Sequence, residues 1–144
     1  MQLMSIDIYE FNGQQHLATI DGYSGFVTAH KLKRTTTQEV INTLDNIFKL
    51  FGYPEKIRSD NGRQLVSEKM RGYLSSKGVE QETSSPHFPS SNGHAESGVK
   101  TAKLLQKKCA ETGQDFQLAL AELRRQPRTD GFSPSDLFFR RNVK

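Results

Sequence analysis

Three carboxylates, Asp7, Asp60 and Glu96, stand at positions where a chain can hold up a charged group for chemistry. Asp7 interrupts the apolar alternation of "LMSIDIYEF": Ile6 and Ile8 point to one side of a strand, and Asp7 shares the other side with Ser5 and Tyr9. Asp60 ends the short strand "EKIRS" and opens the turn "DNG". Glu96 falls in the first turn of a helix that follows the Ser-, Pro-, Asn- and Gly-rich stretch "SPHFPSSNG". Each acid also has an ordinary reading. Asp7 is a solvated side chain if its strand lies at a sheet edge, Asp60 shapes an Asx-type turn, and Glu96 complements the helix dipole and pairs with Lys100 at i+4.

Taken as a set, the three suit a divalent metal. Magnesium is a hard cation that takes oxygen ligands and keeps several waters. Two such ions about 3.5–4 Å apart can clamp the attacking and leaving oxygens of a phosphodiester. Lys100 and Lys103 follow Glu96 at i+4 and i+7, a basic row able to hold a phosphate backbone without reading sequence.

The elements that must position these residues follow from periodicity. "LMSIDIYEF", "QHLATID" and "GFVTAHKLK" read as three strands, the first two joined by a hairpin at Asn12-Gly13. "TTTQEVINTLDNIFKLFG" changes to helical period, with Val40, Leu44, Ile47, Phe48 and Phe51 on one stripe. Thr36 and Glu39 fit a capping box there, and Gly52 a stop. "EKIRS" is a fourth strand, "SEKMRGYLSSKG" a helix capped by Ser67 and ended by Gly78, and "VEQETS" a fifth strand. Helices then follow in "HAESGVKTAKLLQKKCAETG", "DFQLALAELRR" and "SPSDLFFRR". In the first of them Ala95, Val99 and Ala102 face inward, with Leu105 or Cys109 continuing the stripe. Meandering strands followed by alternation with helices predict an α/β mixed sheet covered by helices.

Composition narrows the class. A chain of 144 residues is one domain's length and can bury a real core. One cysteine, Cys109, allows no intrachain disulfide, so a reducing, intracellular compartment is the expectation. There is no apolar run long enough for a membrane span, and the scattered His and Cys make no zinc site. A net charge of +4 leans weakly towards a polyanionic partner.

The segments "SIDIYEFNG", "TIDGYSGF", "IRSDNGRQ", "TSSPHFPSSNGHAES" and "GFSPSDLFF" resemble successive blocks of the integrase catalytic core. The nearest match is to gypsy-class long-terminal-repeat retrotransposons, with retroviral integrases as cousins. Asp60 and Glu96 leave 35 residues between them, which resembles the D,D-35-E spacing of that family. The resemblance implies a ribonuclease H-like fold, a five-stranded mixed sheet flanked by helices. It implies that Asp7, Asp60 and Glu96 are the catalytic, metal-binding carboxylates, using Mg²⁺ or Mn²⁺, two ions once substrate is bound. It places His87, Asn92, Lys100 and Lys103 against DNA. The implied reaction trims the 3′ ends of element DNA and joins them to target DNA by in-line phosphoryl transfer. The implied partners are element and target DNA and a second copy of the chain, with no membrane and no small-molecule cofactor, and the place of action is the nucleus.

Against the family pattern, Arg63 and Leu65 stand where Pro and Phe are common, and Gly98 lies within the helix that starts near Glu96. Residues 1–144 read as one core domain, without the upstream zinc module and downstream DNA-binding domain that family members carry. Phe116, Leu118, Leu120 and Leu123 offer more apolar surface than one buried stripe needs, which fits a dimer interface as well as it fits burial within one chain. Two other functions compete: an integrase-derived module, domesticated for binding DNA or protein without catalysis, and a glycosidase. The glycosidase needs only two acids, no metal and no basic surface.

Overall fold

The Asn12-Gly13 turn starts the sheet. Both residues have positive φ, 51° and 75°, the geometry of a two-residue hairpin whose twist matches its strands. It joins β1 (Leu3–Phe11) to β2 (Gln14–Asp21), paired antiparallel from Met4–Asp21 to Phe11–Gln14. The computed structural model describes residues 1–83 and 93–142. β2 pairs antiparallel with β3 (Val27–Lys31). β4 (Lys56–Ser59) lies parallel to β1, and β5 (Glu80–Thr83) parallel to β4. The result is a five-stranded mixed sheet in the order β3-β2-β1-β4-β5.

β3 starts later than the alternation of "GFVTAHKLK" suggests, because the residues before it form a turn. Buried Asp21 accepts from the Ser24 N–H at 2.9 Å and from the Ser24 hydroxyl at 2.6 Å through Oδ2, and Gly25 takes φ 73°. The chain extends again only at Val27.

β1 is the central strand, and both its faces are covered. Met4 and Ile6 enter one core with Leu17 and Ile57, roofed by α1 (Thr37–Phe51) and α3 (Glu68–Ser76). In α1 the predicted residues Val40, Leu44, Ile47 and Phe48 are buried together with Ile41, each such side chain contributing about 1.5–3 kcal/mol relative to exposure. The α1 capping box forms by half. Thr36 Oγ1 accepts from the Glu39 N–H at 3.2 Å, but Glu39 Oε1 takes the Lys33 N–H at 3.4 Å. Ser67 caps α3 as expected, accepting from the Met70 N–H at 3.2 Å. A short helix that periodicity did not suggest, α2 (Arg63–Val66), precedes α3 and buries Leu65.

On the opposite face Tyr9, Ala18, Ile20, Val27 and Ala29 pack against α4 (Gly93–Thr112) and α5 (Phe116–Arg124). Within α4, Val99, Ala102 and Cys109 are buried as the stripe predicts, and Leu105 is partly buried. Gly98 lets this helix sit low. A Cβ there would lie 3.3 Å from Ile20 Cγ1 and 3.4 Å from Val27 Cγ2. On α5, Leu120 is fully buried, and Phe116 and Leu123 pack partly against the same core. Of the four residues that suggested an interface, Leu118 alone is exposed, so most of that apolar surface is used within the chain. Finally α6 (Pro134–Asn142) stacks Phe138 on Phe26 at 4.4 Å between ring centroids.

Candidate active site

The central position of β1 settles the environment of Asp7. It faces the α4–α5 side with Tyr9, level with Ala18 of β2, and is partly buried, so the edge-strand reading does not hold. The parallel pairing of β1 with β4 directs Asp60 towards the same end of the sheet. The pairs run Leu3–Lys56, Met4–Ile57 and Ser5–Arg58, and continuing that register by two residues sets Asp7 level with Asp60. Adjacent strands lie about 4.8 Å apart. β4 has ended by then, and Asp60 stands exposed at its carboxyl end.

Asp60 also makes the turn that its neighbours "NG" suggest. Its Oδ1 accepts from the Gly62 N–H at 2.8 Å. The two readings of Asp60 are therefore compatible, since the turn uses one carboxylate oxygen and fixes the side chain at the strand end. Glu96 is the fourth residue of α4, the helix on the same face of the sheet as Asp7. Its side chain, like His87 and Asn92 as a whole, lies outside the described residues. Among the described residues no three of His, Cys, Asp and Glu come together as a metal-binding group.

Both predicted lysines of α4 are exposed. Lys103 places its ammonium 5.2 Å from the centre of the Tyr9 ring, two residues along β1 from Asp7. Below it lies a buried polar cluster that sequence reasoning missed. The Tyr9 hydroxyl donates to Gln106 Oε1 at 2.8 Å, and Gln106 Nε2 lies 3.4 Å from His16 Nε2. The Tyr9 and His16 rings stack at 5.2 Å. Burial, reinforced by the negative charge of Asp7, pushes the Tyr9 phenol up to about 12. It therefore stays protonated and able to donate. Spacing was the available signal for Gln106, which follows Val99 by seven residues and Ala102 by four and so falls on the buried stripe.

These features agree with what the chain is similar to. A family model described as "Integrase core domain" matches residues 1–89, a segment that includes Asp7 and Asp60 and stops short of Glu96. An uncharacterised Caenorhabditis elegans protein is 32% identical over 92% of the chain, and the Pol polyprotein of feline endogenous virus ECE1 is 32% identical over 85%. The chain spans only 11% and 12% of those two proteins. Among solved structures, the catalytic core domain of BIV integrase superposes with TM-score 0.86 over 99% of this chain and 96% of its own, at 18% identity. A chain of the simian T-cell lymphotropic virus intasome, solved in complex with PP2A regulatory subunit B56 gamma, superposes with TM-score 0.82 at 23% identity, over 95% of this chain and 54% of that one. The fold is the ribonuclease H-like fold of integrase cores. The chain belongs to the integrase core domain family.

Proposed function

We propose that the chain is the catalytic core of a divalent-metal-dependent DNA strand transferase, with Asp7, Asp60 and Glu96 as its catalytic and metal-binding carboxylates. The observation that carries this reading is the parallel register of β1 on β4, whose continuation beyond Ser5–Arg58 would set Asp7 level with Asp60. The donor set suits the metal: carboxylate oxygens are hard ligands, and Asp60 is exposed where a hydrated Mg²⁺ or Mn²⁺ can reach it. Such ions would polarise the phosphoryl oxygens and make the attacking water acidic.

The chain's own side chains hold and orient the DNA. The Gly62 N–H fixes the Asp60 carboxylate, and Lys100 and Lys103 present positive charge to phosphates along α4. His87 and Asn92 take the DNA end in this reading. In the first step a water oxygen attacks phosphorus in line, and the bond to the 3′ oxygen of the released fragment's neighbour breaks, leaving a free 3′ hydroxyl. In the second step that hydroxyl attacks a phosphorus of target DNA, its proton leaves, and the target's own P–O3′ bond breaks. No covalent enzyme intermediate forms. The partners are element and target DNA in the nucleus, and a second copy of the chain.

The test is reversal of strand transfer on a branched DNA with Mg²⁺, with Mn²⁺ and with EDTA. The reading expects joined product with either metal, none with EDTA and none from Glu96→Gln. Product in EDTA, or undiminished product from the variant, contradicts it. A folded chain that binds DNA but joins nothing in either metal favours the non-catalytic binding module.

A further inference from the structure

The structure holds a second basic feature that the carboxylate site does not use. A groove of about 360 Å³ lies between the β1–β2 turn, at Gly13 and Gln15, and the segment from the end of β3 towards α1, at Lys31, Lys33, Arg34 and Thr35. Lys31, Lys33 and Arg34 are exposed, and among the described residues none of them enters an ion pair. The positive charge of Lys31 is felt locally, helping burial to hold His16 below the usual histidine range. Among the described residues no carboxylate lines the groove. Glu10 pairs across the hairpin with Gln15, and Glu39 accepts the Lys33 N–H. The lining thus carries three cations and no acid.

The location gives this charge a use. β1, which enters the hairpin, runs parallel to β4, so the groove opens at the same end of the sheet as Asp60. The two regions are also tied directly. Gln64 of α2, four residues after Asp60, donates from Nε2 to the Thr35 carbonyl at 3.0 Å. β3 and β4 are three strand spacings apart, about 14 Å. With phosphates about 3.4 Å apart along each strand, that is roughly four base pairs of duplex. The groove offers no aromatic ring on which an unpaired base could stack, as single-strand sites do. Its chemistry matches the backbone of a duplex and not a frayed end.

We propose that Lys31, Lys33 and Arg34 form a phosphate-backbone site that grips duplex DNA a few base pairs from the carboxylates. This rests on the proposed strand-transfer reading, since it takes the same DNA as ligand, but it adds a contact surface outside that site.

The experiment compares the parent chain with K31A/K33A/R34A in EDTA, so that binding is separated from catalysis. Fluorescence anisotropy is followed on a labelled 20-base-pair duplex, and on one of its strands alone, across a series of NaCl concentrations. Lys33→Gln with Arg34→Gln, which leaves β3 untouched, guards against misfolding. K69A/R71A/K77A, exposed cations of α3 and its C-cap that do not line the groove, is the control for charge. Each lost phosphate contact lowers the salt slope by about 0.9, so the triple variant should lose up to about 2.7 from the slope and bind duplex at least about tenfold more weakly. The Gln double variant should fall between, and the α3 control should match the parent. A parent that binds duplex with a slope the groove variants leave unchanged overturns this site and leaves strand transfer standing. Loss of single-strand binding only, or equal loss in the control, also overturns it. A parent with no salt-dependent duplex binding overturns both proposals.

Discussion

Replacing Asp60 separates the two jobs its geometry allows. Its Oδ1 holds the Gly62 N–H at 2.8 Å, and an asparagine can keep that bond while losing the charge. Asp60→Ala loses the bond as well. One exposed hydrogen bond is worth about 1 kcal/mol net, so the alanine variant should unfold about 4 °C lower than the parent. Asp60→Asn should stay within about 0.5 kcal/mol of the parent. Activity should not follow stability. If Asp60 is a metal ligand, both variants lose several kcal/mol of charge stabilisation, at least about a hundredfold in rate. Calorimetry and the branched-DNA assay on the same samples give both quantities. An Asp60→Asn protein that keeps its rate within about threefold would refute the reasoning and leave Asp60 a turn residue.

Other perturbations test the packing around the site. Gly98→Leu should cost about 1–3 kcal/mol in urea unfolding, because α4 must lift off Ile20 and Val27; a neutral result would deny the close approach. Gln106→Leu should cost about 1–3 kcal/mol by orphaning the buried Tyr9 hydroxyl, and adding Tyr9→Phe should recover part of it. If the double variant is as unstable as the sum of the singles, the bond carries nothing. Burial first, then Lys31, hold His16 below the usual histidine range, and burial with Arg124 does the same to His30. The folded chain therefore binds these protons less tightly than the unfolded one. The stability this gives is complete above the unfolded pKa of about 6.5 and is lost as pH falls below it. The melting temperature should drop from pH 7 to pH 5, and drop less in H16Q/H30Q; an equal drop would place the pH dependence elsewhere.

Much of the architecture was legible because it is carried by local period and punctuation. The hairpin at Asn12-Gly13, the α1 stripe and the Ser67 cap are all short-range features, and the structure has them. What was not legible depends on tertiary context. Nothing in "LMSIDIYEF" says whether β1 is central or at an edge, because that is decided by β4, some fifty residues later. α2 is four residues long with no side-chain cap, too short to show a period. Gly98 read as a departure from the family pattern, yet its missing Cβ is what admits Ile20 and Val27. Gln106 falls on the buried stripe by spacing, but its partner Tyr9 is 97 positions away and no local signal names it. For the candidate site, the register that levels Asp7 with Asp60 emerges only from strand pairing, while Glu96 was reached by resemblance and spacing.

The most direct measurement is anomalous diffraction from crystals of the chain grown with Mn²⁺. A Mn²⁺ peak is expected within ligand distance of both Asp7 and Asp60, with the Glu96 carboxylate directed to the same site. An ordered site with saturating Mn²⁺ and no peak there, or with the three carboxyl groups more than about 10 Å apart, would contradict it, because shared ions about 3.5–4 Å apart need closer ligands.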